Sequence, residues 1–119
     1  MSLSPTYLEH FQAPKNIGDL EEPRKLAEVA HQGGGCHDRL RVTLRIVDGI
    51  VEDAMWRARA CSGTVAAASA ATEWAKGKTV AEVQTVTPET LIDALDGIPE
   101  KKRHSVELAA KALREAVAG

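Results

Sequence analysis

Between Leu40 and Ala60 the chain spells out a β-hairpin, and no other feature limits its fold so tightly. Leu40, Val42, Leu44 and Ile46 alternate with Arg41, Thr43, Arg45 and Val47, the period of a half-buried strand. One face of that strand is therefore strongly basic. Asp48-Gly49 tolerates positive φ and suits a tight turn. After it, in a second strand from Ile50 to Ala60, Ala54, Trp56, Ala58 and Ala60 alternate with Met55, Arg57 and Arg59.

Beyond the hairpin the period changes. Thr64 to Ala75 is dense in small helix formers and closed by Gly77, which predicts a helix able to pack closely on the sheet. Thr79 with Glu82 forms a capping-box pattern for a brief helix, and Thr87-Pro88-Glu89 starts another that ends near Gly97. Ile98-Pro99 breaks the chain. From Ser105, taken as an N-cap, Val106, Ala109, Ala110, Leu113 and Val117 recur at helical spacing. Ahead of the hairpin, Ser4 to Gln12 reads as a short helix with Pro5 at its first position, ending before Pro14. Asn16-Ile17-Gly18-Asp19 and Glu21-Glu22-Pro23 read as turn and loop, and Lys25 to His31 as a weaker strand. Strands followed by a run of helices give an α+β order, an antiparallel sheet packed by helices.

A chain of 119 residues suits one domain, 1–119, with a single core. With 15 basic and 17 acidic residues the formal net charge is −2, so no general footprint for nucleic acid or an anionic membrane exists. Neither a spanning helix nor a signal peptide is read from the sequence, and a cytoplasmic protein is the expectation. With one Phe, one Tyr and two Trp, the core must be aliphatic and alanine-rich.

The two cysteines bracket the hairpin, Cys36 before its first strand and Cys61 after its second. Antiparallel pairing returns the chain to one end of the sheet, so the thiols can meet. Cys36 follows Gly33-Gly34-Gly35 and leads into His37-Asp38, a setting that presents a thiol rather than packing it. In a reducing compartment, metal binding or thiol chemistry explains the pair better than a disulfide. Two thiolates leave a tetrahedral site short by two ligands, for which Asp38, His37, His31 and the more distant His104 are candidates. Each has a plainer alternative: Cys61 as a small buried hydrophobe, Asp38 as a polar residue leading into a strand, the histidines as ordinary surface groups. His104 lies in Lys101-Lys102-Arg103-His104 at the start of the last helix, where cations oppose the helix dipole unless something anionic lies near.

Taken together these residues resemble the iron-sulfur cluster scaffold family, the IscU type and the N-terminal domain of NifU, over nearly the whole chain. Tyr7 to Gly18 is similar to the family's opening helix and its Pro-Arg/Lys-Asn-x-Gly turn, and Gly35-Cys36-His37-Asp38 to its Cys-Gly-Asp. Cys61-Ser62-Gly63 resembles the Cys-Gly-Ser that opens the family's Ala/Ser-rich helix, Thr72 to Lys78 the segment closing it, and His104-Ser105 the family's His-Cys. The resemblance implies three antiparallel strands with helices on one side and a transient [2Fe-2S] cluster, or zinc in purified protein, held at an exposed end. Carried over by position, its ligands are Cys36, Asp38, Cys61 and His104. The third cysteine is Ser105, a weaker ligand that cannot carry a persulfide. His37 stands for the family's Gly, as an added ligand or a tolerated surface change.

The implied function is assembly of a cluster from iron and sulfide and its transfer to acceptor apo iron-sulfur proteins, with a cysteine desulfurase as sulfur donor. The family's Leu-Pro-Pro-Val-Lys appears only in part, as Ile98-Pro99-Glu100-Lys101-Lys102, which weakens the expectation of a dedicated Hsp70-type chaperone. The SufU branch, with its insertion before the last cysteine, fits the spacing from Cys61 to Ser105 less well. The alternative is a divergent zinc-binding paralogue, acting as a binding or regulatory module or a sulfur acceptor without cluster assembly. No nucleophile, base and orienting partner occur beyond these same residues, so an enzyme in the ordinary sense is not expected.

Overall fold

The computed structural model describes residues 4–30, 39–59 and 62–118. In chain order these form helix α1 (Pro5–Gln12), strands β1 (Lys25–Ala30), β2 (Arg39–Val47) and β3 (Ile50–Arg59), and helices α2 (Ser62–Ala75), α3 (Val80–Gln84), α4 (Pro88–Ala94) and α5 (Arg103–Ala118), the last entered through a 3-10 turn at Glu100–Lys102. The expected architecture is present: three strands in the order β1-β2-β3, both pairings antiparallel. Among the described residues no helix is long and apolar enough to cross a membrane.

The hairpin turns at Asp48 (φ 54°) and Gly49 (φ 76°), the two positive values that match the twist of the flanking strands. A register shift between Arg45 and Ile46 sets Arg45 opposite Asp53 but Ile46 opposite Val51. The extra residue, Glu52, reverses the alternation, which is why Val51 and Ala54 are both fully buried. Leu40, Val42, Leu44, Val51, Ala54 and Trp56 thus share the face that α2 and α5 cover.

Helix α2 is central. Ala66, Ala67, Ala68, Ala70, Ala71 and Ala75 are all buried, so this helix has no broad solvent face, and its small side chains let the sheet, α1 and α5 approach together. Helix α5 supplies the amphipathic layer expected of it, burying Val106, Ala109, Ala110, Leu113 and Val117.

The chain before β1 is more than a loop. Ile17 makes a parallel bridge to Trp56, with Gly18 N–H donating to the Trp56 carbonyl at 2.8 Å and Trp56 N–H to the Asn16 carbonyl at 2.8 Å. The Trp56 indole N–H donates to the Lys15 carbonyl at 2.7 Å. Asn16, in the left-handed region at φ 67°, donates its amide to Thr72 Oγ1 at 3.1 Å and accepts from Lys76 Nζ at 2.6 Å. The Lys15–Gly18 turn therefore ties the end of α2 to β3.

Candidate functional site

Antiparallel pairing puts Ala30 opposite Arg39 and Arg39 opposite Arg59. The last described residue of β1, the first of β2 and the last of β3 therefore stand in one row at one end of the sheet. The segments that hold Cys36, Asp38 and Cys61 leave from that row in sequence, but those three residues, with His31 and His37, lie outside the described residues. Of the expected ligands, only His104 is described. Among the described residues no three His, Cys, Asp or Glu side chains are grouped as a metal site would require.

Two helices begin near this row. Helix α2 starts at Ser62, three residues after Arg59 in the chain, and its second and third residues touch the first turn of α5. Thr64 donates its hydroxyl to Ser105 Oγ at 3.1 Å, with both residues almost wholly buried. A side chain on Gly63 would meet Ser105 Oγ at 2.9 Å and Lys102 Cδ at 2.8 Å, closer than a carbon can sit. Glycine at this position lets the two helix starts close on each other. The positive dipole ends of the two helices favour negative charge nearby.

Ser105 is not the N-cap of α5. The 3-10 turn runs into the helix at Arg103, so Ser105 falls inside it and turns its hydroxyl toward α2. His104, partly exposed, places Nε2 at 3.5 Å from Ser105 Oγ. The position next to His104 that the resemblance assigns to a third thiol is thus a buried hydroxyl bonded to Thr64.

The basic run opening α5 has an anionic partner within the protein. Arg103 bonds to Glu89 at the start of α4 and pairs with Glu107 one turn on at 3.5 Å. The bond from Arg103 holds the Glu89 carboxyl below its ordinary range. Arg103 therefore has its counter-charges within the protein.

Sequence reasoning missed the Thr64–Ser105 contact and the role of Gly63, because both depend on which face α5 turns toward α2. It read Asn16 as part of a turn without its clamp on Thr72 and Lys76. The signal for Asn16 was there: in Asn16-Ile17-Gly18 the two outer residues both tolerate positive φ, which marks a turn of fixed shape.

Comparison with known proteins gives a consistent picture. Residues 3–119 match the family described as "NifU-like N terminal domain". The chain is 36% identical over 109 residues to the Archaeoglobus fulgidus "Iron-sulfur cluster assembly scaffold protein IscU 1", covering 92% of this chain and 70% of that protein. It is 31% identical over 119 residues to the Azotobacter vinelandii "Iron-sulfur cluster assembly scaffold protein IscU", covering 98% and 92%. A crystal structure of a NifU-like N-terminal protein from Brucella abortus superposes with a TM-score of 0.76 over 97% of this chain and 91% of that one, at 24% identity.

Proposed function

Because this chain belongs to the family of NifU-like N-terminal domains, we propose that residues 1–119 act as an iron-sulfur cluster assembly scaffold, taking iron and sulfide as cargo and passing a transient [2Fe-2S] cluster to acceptor apoproteins. The observation that carries this reading is the Arg39–Arg59 register. It supports bringing the segments with Cys36 and Asp38 to the same sheet end as Cys61, beside the helix starts that hold His104.

The ligand count fits. Each iron of a [2Fe-2S] cluster is bridged by two sulfides and needs two further ligands, and Cys36, Asp38, Cys61 and His104 would supply the four. Cys61 directly precedes α2 in the chain, and a helix N-terminus favours negative charge such as that of a metal-binding thiolate. Carboxylate and imidazole in place of two thiolates leave weaker bonds to iron, which an incoming acceptor thiol can displace. Sulfur from a cysteine desulfurase would have to reach Cys36 or Cys61, since Ser105 cannot carry a persulfide. The test is anaerobic reconstitution with ferrous iron, a cysteine desulfurase, cysteine and a thiol reductant that converts persulfide sulfur to sulfide, followed by desalting. We expect visible absorption and near-equal protein-bound iron and sulfide, both lost in C36A and C61A. A colourless wild-type protein, under conditions that load a three-cysteine relative, would overturn the proposal.

One observation favours a second reading. Ser105 is 1% exposed and bonded to Thr64, so the site has at most two thiolates. Two Cys, one Asp and one His form a ligand set zinc accepts, and the chain would then be a zinc-binding module or sulfur acceptor that builds no cluster. Zinc at one equivalent in protein purified without added metal, resisting exchange for iron, with no desulfurase binding, would select this reading.

A further inference from the structure

The sheet face opposite α2 and α5 carries a cross-strand arrangement of arginines. Arg41 and Arg57 are ladder partners, and together they close on a single carboxylate: Asp19 Oδ1 lies 3.2 Å from Arg41 Nε and Oδ2 lies 3.0 Å from Arg57 Nε. About 6.6 Å along the strands on the same face, Arg39 and Arg59 repeat the pairing. Both are exposed, and among the described residues no carboxylate meets either of them. Like charges opposite each other across a ladder destabilise it. The four arginines, with Glu28 and Ala58, line an open depression of about 600 Å³.

We propose that Arg39 and Arg59 receive a carboxylate from an acidic surface of a partner protein, in the way Arg41 and Arg57 receive Asp19. Asp19 is the reason for choosing a carboxylate, since this same face already shows a cross-strand arginine pair gripping one. The wider charge balance favours a protein over a nucleic acid. With 17 acidic and 15 basic residues, the positive field is local, and one unmatched pair suits one or two carboxylates rather than a run of phosphates. Arg39 and Arg59 each adjoin a cysteine-bearing segment in the chain, so the partner would dock beside the candidate site. The inference does not depend on cluster assembly, and a chain that builds no cluster would still bind through this pair.

The test uses the full chain, 15N-labelled, titrated at low salt with a hexaglutamate peptide, inorganic phosphate and a single-stranded DNA oligonucleotide in separate arms. The peptide should shift the Arg39 and Arg59 Nε–Hε signals saturably. R39Q/R59Q should weaken binding about tenfold with no fall in melting temperature, while R45Q, on the same face outside the depression, should leave it unchanged. Equal binding by R39Q/R59Q, or equal loss in R45Q, would overturn the proposal. So would tighter binding of phosphate or the oligonucleotide than of the peptide.

Discussion

Thr64 donates its hydroxyl to Ser105 Oγ at 3.1 Å, joining the first turns of α2 and α5. The bond fixes where His104 stands, because His104 precedes Ser105 on the same turn. Ser105 is also the residue to which the resemblance to the IscU and NifU pattern assigns a third thiol.

Replacing Ser105 with Cys removes that bond at a cost of about 1 kcal/mol and offers iron a third thiolate. Cluster loss after desalting should slow by about tenfold, equivalent to about 1.4 kcal/mol, while the urea midpoint falls slightly. Visible absorbance followed over time reads the first effect. Unchanged retention would mean that residue 105 does not face the cluster.

Gly63→Ala should destabilise the protein although alanine is the better helix former by about 1 kcal/mol. The added carbon would sit 2.8 Å from Lys102 Cδ and 2.9 Å from Ser105 Oγ, and relieving such overpacking costs about 1–3 kcal/mol. Lys102 can swing aside, but the first turn of α5 cannot, so metal retention should fall with stability. An increase in melting temperature would show that the helix starts are not held this close.

Asn16→Ala should cost about 2–3 kcal/mol, combining strain at φ 67° with the lost bonds to Thr72 and Lys76. Asn16→Gly relieves the backbone and loses only the bonds, so it should cost about 1–2 kcal/mol. Chemical denaturation of the two variants separates these contributions. Equal losses would assign the whole effect to the side-chain bonds.

His10 gives stability a pH dependence. It is 8% exposed, its Nδ1 is 2.7 Å from Ser69 Oγ, and the Lys15 N–H donates to that same oxygen at 2.9 Å. Burial is the main cause of its lowered pKa, and the nearby Lys15 charge adds to it. The unfolded chain therefore binds the proton more readily than the folded one. The contribution is present in full above the ordinary value of 6.5 and is lost as pH falls toward and through the folded value. Urea midpoints should drop between pH 7.5 and acid for the wild type more steeply than for His10→Gln. Parallel curves would locate the titration elsewhere.

Local sequence determined most of the fold. The alternation of Leu40 to Ile46, the Asp48-Gly49 turn, the alanine run of α2, and the caps Ser4, Thr79 and Thr87 each depend on neighbours a few residues away, and all form the elements expected of them. Ser105 did not follow, because Glu100–Lys102 extends the helix upstream and a serine inside a helix has no capping role. The resemblance named the ligands, but of these only His104 lies among the described residues.

Where long-range partners meet was set by the packing of the elements. Local pattern put the cysteines at the two ends of a hairpin and a serine where the resemblance has a third thiol. Only the fold set Gly63 against Ser105, Asn16 against Thr72 and Asp19 between Arg41 and Arg57. Each of these contacts joins residues far apart in the chain, and its geometry follows from the packing of α2 on α5 and of the N-terminal segment on β3. No pattern within a single strand or helix carries that information.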